Sequence, residues 1–197
     1  MLAARPVAVD EVTAEEISVK LLTYSAAAAL ICLSFPATSW AQPAAPASSS
    51  SPASVTGPDY MKMAAASDLY EIQSSQAVLQ TTKSPDVRRF AQMMIDHHTK
   101  TTTDLMAAAK GAGLNAPAPA LDTQQKGMLT SLQAASGAGR DQLYVQQQVA
   151  AHEQALALHS AYAQNGDMPA LKAAAAKTAP VVKQHLSEIQ RIAGAGK

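Results

Sequence analysis

The chain has 197 residues, 48% of them hydrophobic but only 4% aromatic, and its 15 basic residues balance 15 acidic ones. The apolar content is mostly Ala, with Leu, Val, Met and Ile, which suits close-packed helices better than sheets. Balanced charge, with no Arg cluster or Lys/Arg stripe, excludes the electrostatic footprint of a nucleic-acid binder.

The first element in chain order is an export signal. Lys20 precedes an apolar run from Leu21 to Phe35, followed by Pro36 and the small-x-small triplet Ser39-Trp40-Ala41 before Gln42. This is the order of a secretory signal peptide. The run is too short, and too soon broken by Pro36, for a bilayer span, which needs about 20 apolar residues. The preceding stretch sets Asp10, Glu11, Glu15 and Glu16 against Arg5, a poor n-region. Val19 read as an initiator would give a Met-Lys-Leu-Leu opening of standard form. Residues 1–41 are thus read as the signal, and the expected destination is the bacterial periplasm or outer envelope, with no transmembrane segment in the mature form.

Cleavage after Ala41 removes Arg5, Lys20 and the four acids, leaving 13 basic against 11 acidic residues. It also removes Cys32, the only cysteine. Disulfides and thiolate metal sites are then ruled out, and His, Asp, Glu and Met remain as ligands. Residues 42–58 are Pro, Ala and Ser with little to bury, which reads as a disordered linker to a domain over 59–197.

Helical signals fill that domain. A first helix is expected from Asp59 to about Thr81. Ser84-Pro85-Asp86 opens a second, with Ser as N-cap and Pro in the first turn, running to about Lys110 before Gly111 and Gly113. A shorter third follows Asp122, whose Gln125 makes a capping-box-like start. Ser136-Gly137-Ala138-Gly139 separates it from a long fourth helix ending at Gln164, and Asp167 is expected to cap a fifth that reaches about Ile192. No alternating strand pattern intervenes. Short connections fold the first and second, and the fourth and fifth, into two antiparallel hairpins. The expected architecture is all-α, an up-down four-helix bundle with a short additional helix crossing between the hairpins.

At about 100° per residue, the polar residues divide sharply. Glu71 projects from the face that carries Tyr60, Ala64, Val78 and Leu79. His97 and His98 flank a stripe of Phe90, Met94, Thr101, Leu105 and Ala108, while Asp96 falls on the polar face with Arg88, Gln92 and Thr103. Gln148, His152 and His159 form a line among Tyr144, Val145, Ala155, Leu156 and Tyr162. His185 sits among Leu171, Val182, Leu186 and Ile189. At about 1.5 Å per residue, Glu71 and His97 are level and His152 is central in its helix. His159 lies two turns from His152, on the order of 10 Å, and cannot share one ion with it.

The expected metal cluster is therefore Glu71, His97, His152 and His185, with His98 and Asp96 as outer or alternative members. Imidazole and carboxylate donors suit one transition-metal ion, Zn, Cu, Ni or Fe, and do not choose among them. The competing reading is a structural or interaction module of the cell envelope, with a protein partner there and the histidines hydrogen-bonded to Tyr144, Tyr162, Gln148 or Glu71. The methionines Met93, Met94, Met106 and Met128 read as core filler. Pro180, about one turn before His185, reads as a kink that re-aims it. No motif pairs a nucleophile with a base, so a hydrolase is poorly supported.

Several blocks together carry a resemblance. They are Asp68-Leu-Tyr-Glu71-Ile, the run from Ser84 through Arg88-Arg89-Phe90 to Asp96-His97-His98, Tyr144 with Val149-Ala-Ala-His152, and Pro180-Val-Val-Lys-Gln-His185-Leu. In order and spacing, from Tyr60 to Ile192, the chain resembles the exported bacterial family called domain of unknown function 4142. The resemblance implies a ferritin-like bundle in the periplasm or outer envelope, often labelled an outer-membrane protein, with no settled activity. It places the family's inward Glu at Glu71, its Asp-His pair at Asp96-His97, and its later histidines at His152 and His185. Glu-x-x-His pairs are absent, and His185-x-x-Glu188 runs in the reverse order, a departure from the ferritin di-iron pattern. Met93-Met94 followed by His97-His98 is also similar, over a short stretch, to periplasmic copper-associated bundles.

Overall fold

The computed structural model describes residues 55–116 and 118–195. The export signal and most of the linker lie outside the described residues. Five helices follow in order: α1 (Gly57–Leu79), α2 (Pro85–Gly111), α3 (Thr123–Ala134), α4 (Gly137–Asn165) and α5 (Pro169–Ala195). No strand occurs among the described residues, and none of their helices is long and apolar enough to cross a membrane.

Local chemistry accounts for the boundaries. The Thr56 hydroxyl accepts from the Asp59 backbone N–H and Pro58 sits in the first turn, so α1 starts two residues before the expected Asp59. Ser84 caps α2 through the Val87 N–H. Gly113, at φ 75°, turns the chain after it. Asp122 and Gln125 form a full capping box on α3.

Two further expected boundaries differ. The Ser136–Gly139 stretch is not a spacer, because Gly137 already opens α4 with φ 54°. Arg140 folds back to donate to the carbonyls of Ala135 and Gln133, satisfying the end of α3 within a very short connection. Asp167 does not cap α5. It accepts instead from the Tyr162 hydroxyl at 2.8 Å, and α5 begins at Pro169. Helix α5 continues through Pro180.

Each long helix packs on two others, α1 on α2 and α4, and α5 on the same two, closing an up-down ring. Helix α3 lies against α1 and α4. Two apolar clusters fill the interior. One gathers Val78, Phe90, Met94, Leu132, Tyr144 and Ile189, the other Tyr60, Met61, Leu105, Tyr162 and Leu171. Burying each large apolar side chain contributes about 2 kcal/mol. Asp68 and Glu71, His98, His152 and His185 each fall in sequence between their helix's contributions to the two clusters. A polar layer thus sits in the middle of the bundle with apolar packing above and below.

Candidate metal centre

The layer is built from all four long helices. On α2, His98 follows Met94 by four residues and precedes Leu105 by seven, which keeps it on the buried stripe Val87, Ala91, Met94, His98, Leu105, Ala109. His152 continues the α4 line of Tyr144, Gln148, Ala155, His159 and Tyr162, and His185 the α5 line of Val182, Ile189 and Ile192. His98, His152 and His185 are 3%, 1% and 3% exposed. One ring nitrogen from each lies within 4.8 Å of the others. Their ring centroids are 5.5–5.8 Å apart.

Each ring is fixed through one nitrogen. His98 Nδ1 is 2.8 Å from Asp68 Oδ1, and the second Asp68 oxygen accepts from Thr102. His152 Nδ1 donates to the Gln148 carbonyl at 2.8 Å. A carbonyl only accepts, so this bond puts the proton on Nδ1 and the lone pair of neutral His152 on Nε2. His185 Nε2 is 2.8 Å from His97 Nδ1. The opposite nitrogens, His98 Nε2, His152 Nε2 and His185 Nδ1, are buried without a hydrogen-bond partner among the described residues.

Glu71 is 1% exposed, and neither carboxylate oxygen has a hydrogen-bond partner among the described residues. Its Oε1 lies 3.8 Å from His152 Nδ1, beside the three-histidine group and not within it. His97 is exposed and meets the group from outside, stacked on His185 with centroids 5.0 Å apart. Asp96 is exposed and accepts from Gln92. His159 is held away by a 2.9 Å hydrogen bond with the Tyr60 hydroxyl. The structure therefore brings together His98, His152 and His185 with Glu71 alongside, and places His97 where His98 was expected.

The sequence reading overlooked Asp68. It stands three residues before Glu71 and so shares the inward face of α1, a spacing that was available as a signal. Ser74, Ser75, Tyr70 and Gln147 were also missed. Around the site they form a hydrogen-bonded lattice, with Tyr70 to Gln147 at 2.9 Å, Ser75 to Tyr144 at 2.8 Å and Gln148 to Ser74 at 3.1 Å, in which Gln148 Oε1 has no partner among the described residues. Tyr144 and Tyr162, expected partners of histidines, bond to Ser75 and Asp167 instead.

Electrostatics separates the rings. Burial pushes His98 down, but the hydrogen bond and charge of Asp68, with Glu71 behind it, outweigh burial and hold it above its ordinary value. Burial keeps His152 low despite Glu71. Burial and the neighbouring histidines push His185 down to about 2, and burial takes His159 to about 4. Below about pH 6.5 the unfolded chain binds protons that these three refuse when folded, so stability falls as pH drops from 6.5 toward 4. His98 opposes this alone. The metal-free protein is expected to melt at a lower temperature at pH 4.5 than at pH 7, a difference that circular dichroism would measure.

Fold and site together define an all-helical bundle with a three-histidine group in its interior. The chain belongs to the family described as domain of unknown function (DUF4142), whose model matches residues 42–192. No curated protein matches it. Among solved structures it is similar to a DUF305 fragment from Deinococcus radiodurans, with 10% identity and a TM-score of 0.62 over 71% of this chain and 95% of that one. It is similar also to CopM in the Cu(II)-bound form, at 16% identity and a TM-score of 0.61 over 72% and 98% of the two chains. CopM in the Cu(I)-bound form matches at 15% identity and a TM-score of 0.57 over 69% and 94%. At these identities the likeness establishes the helical fold.

Proposed function

We propose that this protein binds one transition-metal ion through His98, His152 and His185, and that copper is the first candidate. The observation that carries the reading is the set of unpartnered atoms in the buried layer: one nitrogen on each of three histidines and both oxygens of Glu71. Each buried polar atom left unpaired costs about 1–3 kcal/mol. Three imidazoles from three helices and a carboxylate converge there, whereas the one gap in the neighbouring Ser, Tyr and Gln lattice among the described residues, Gln148 Oε1, stands by itself.

The second nitrogens support the same reading. Metal-bound histidines hold their other ring N–H against a carboxylate, carbonyl or similar acceptor, which fixes tautomer and aim. Here Asp68, the Gln148 carbonyl and His97 fill those roles. Glu71 would add a carboxylate beside the ion and offset its charge. Imidazoles without thiolate suit Cu, Zn, Ni and Fe alike, and copper is placed first because CopM, one neighbour of the same fold, is seen in two copper-bound forms. The bound ion would supply a Lewis-acidic or redox centre, while the chain's own residues orient the imidazoles and exclude water. Export to the periplasm or outer envelope, read from Lys20 to Ala41, completes the proposal.

Elemental analysis after equilibrium dialysis of the metal-free protein against Cu, Zn, Ni and Fe tests it. One ion per chain is expected, with loss of binding in the His98→Ala/His185→Ala double variant. No ion retained under any condition would overturn the site and favour the envelope interaction module.

A further inference from the structure

A cavity of about 330 Å³ lies next to the histidine layer, and Asp68 belongs to both. It is bounded by α2 and α5, with Tyr60, Ala64 and Asp68 of α1 and His159 of α4 deeper in. Alanines supply much of its wall on α2 and α5, so the space is set by small residues where larger ones would close the bundle. Its polar groups are not scattered. Asp104 and Lys177 are exposed, His159 is 5% exposed, and Asp68 is 4% exposed.

His159 is poised for a role of its own. Its Nδ1 is engaged by Tyr60 and its other nitrogen makes no hydrogen bond among the described residues. Burial holds it near 4, so it stays neutral at any ordinary pH, and with Nδ1–H donating to the Tyr60 oxygen its Nε2 offers a lone pair to a metal. It lies seven residues from His152, about 10 Å along α4, too far to share an ion and close enough to pass one on.

The geometry points to this cavity as the entry vestibule for the metal ion, with Asp104 at the mouth, His159 as a transient ligand and Asp68 on the wall shared with the histidine layer. The inference rests on the metal-binding reading above. The exposed Lys177 opposes an incoming cation, and Lys100 already pairs with Asp104 at 2.6 Å, so the mouth is near neutral and single charge changes should be felt.

Stopped-flow uptake of Cu(II) by the metal-free full chain, followed through the absorbance of the loaded site, tests the route. Lys177→Glu is expected to accelerate uptake roughly threefold or more at low salt, and Asp104→Asn to slow it. Both effects should fade toward 1 M salt, where the screening length is about 3 Å. His159→Leu should slow uptake about tenfold while the final stoichiometry stays at the wild-type value. Rates within twofold of wild type for all three variants, in a wild type that binds copper, would overturn the vestibule and leave the site standing. Slowing confined to His97→Gln would also overturn it, by moving entry to the opposite face. A wild type that takes up no metal would overturn the site itself.

Discussion

Copper added to the metal-free protein is expected to raise its melting temperature by on the order of 10 °C at a hundredfold excess over Kd. Binding to the folded state alone contributes RT ln(1 + [L]/Kd), about 3 kcal/mol at that excess, and a domain of this size converts each kcal/mol into roughly 3 °C. The gain should shrink on acidification for a specific reason. His152 and His185 are already held neutral by burial, but Asp68 and Glu71 hold His98 above its ordinary value. The proton on His98 is therefore the first competitor of the metal, and affinity falls about tenfold per unit below its folded value. His152→Ala should abolish the shift. It should also destabilise the metal-free protein by about 1–3 kcal/mol, through the emptied space and the loss of its bond to the Gln148 carbonyl. Thermal melts of both proteins with and without copper, at pH 5 and pH 7.5, measure all of this. A wild-type melting temperature indifferent to Cu, Zn, Ni and Fe would refute the metal reading.

The fold was legible because its signals were redundant. Ser84-Pro85, Asp122 with Gln125, and Gly113 mark helix ends by chemistry that operates locally, and the apolar periodicity of α2, α4 and α5 agrees with them. Boundaries were less legible where a distant group decided them. Arg140 closes the end of α3 from the next helix, and Tyr162 recruits Asp167 away from the start of α5. Nothing within either turn announces those partners.

The site was legible as a set of residue types and less so in its phase. From Met94, three residues advance the helix by 300° and four by 400°, so His97 lies about 60° to one side and His98 about 40° to the other. Sequence periodicity alone scarcely separates them. The packing of α2 between α1 and α5 decides it. His98 turns to Asp68 on α1, and His97 is left on the outer side of His185 on α5. Asp68 was hidden for another reason. Its inward spacing from Glu71 was readable, but its partner His98 stands on the next helix, and nothing on α1 announces that pairing.

Asp68 is accordingly where the second large effect is expected. Its two oxygens are, among the described residues, the only hydrogen-bonding partners of His98 Nδ1 and the Thr102 hydroxyl, all inside the polar layer. Removing one member of a buried charged pair leaves the other uncompensated, at a cost of about 3–5 kcal/mol, so Asp68→Ala should destabilise the metal-free protein by that order. Asp68→Asn keeps the shape and an acceptor but loses the charge, and the effect of pH then discriminates. Because the folded value of His98 is raised, its stabilising contribution is fully present below the unfolded value of about 6.5 and is lost as pH rises through the folded one. The gap in unfolding free energy between wild type and Asp68→Asn should therefore be wider at pH 6 than at pH 9. Loss of the anchored ring should also weaken metal binding by about 10- to 100-fold, the usual consequence of removing a carboxylate that orients a ligand histidine. Urea denaturation at the two pH values, with copper titrations on the same variants, measures both. An Asp68→Asn protein with wild-type stability at pH 6 and wild-type copper affinity would show that the Asp68–His98 pair neither holds the layer together nor aims the imidazole.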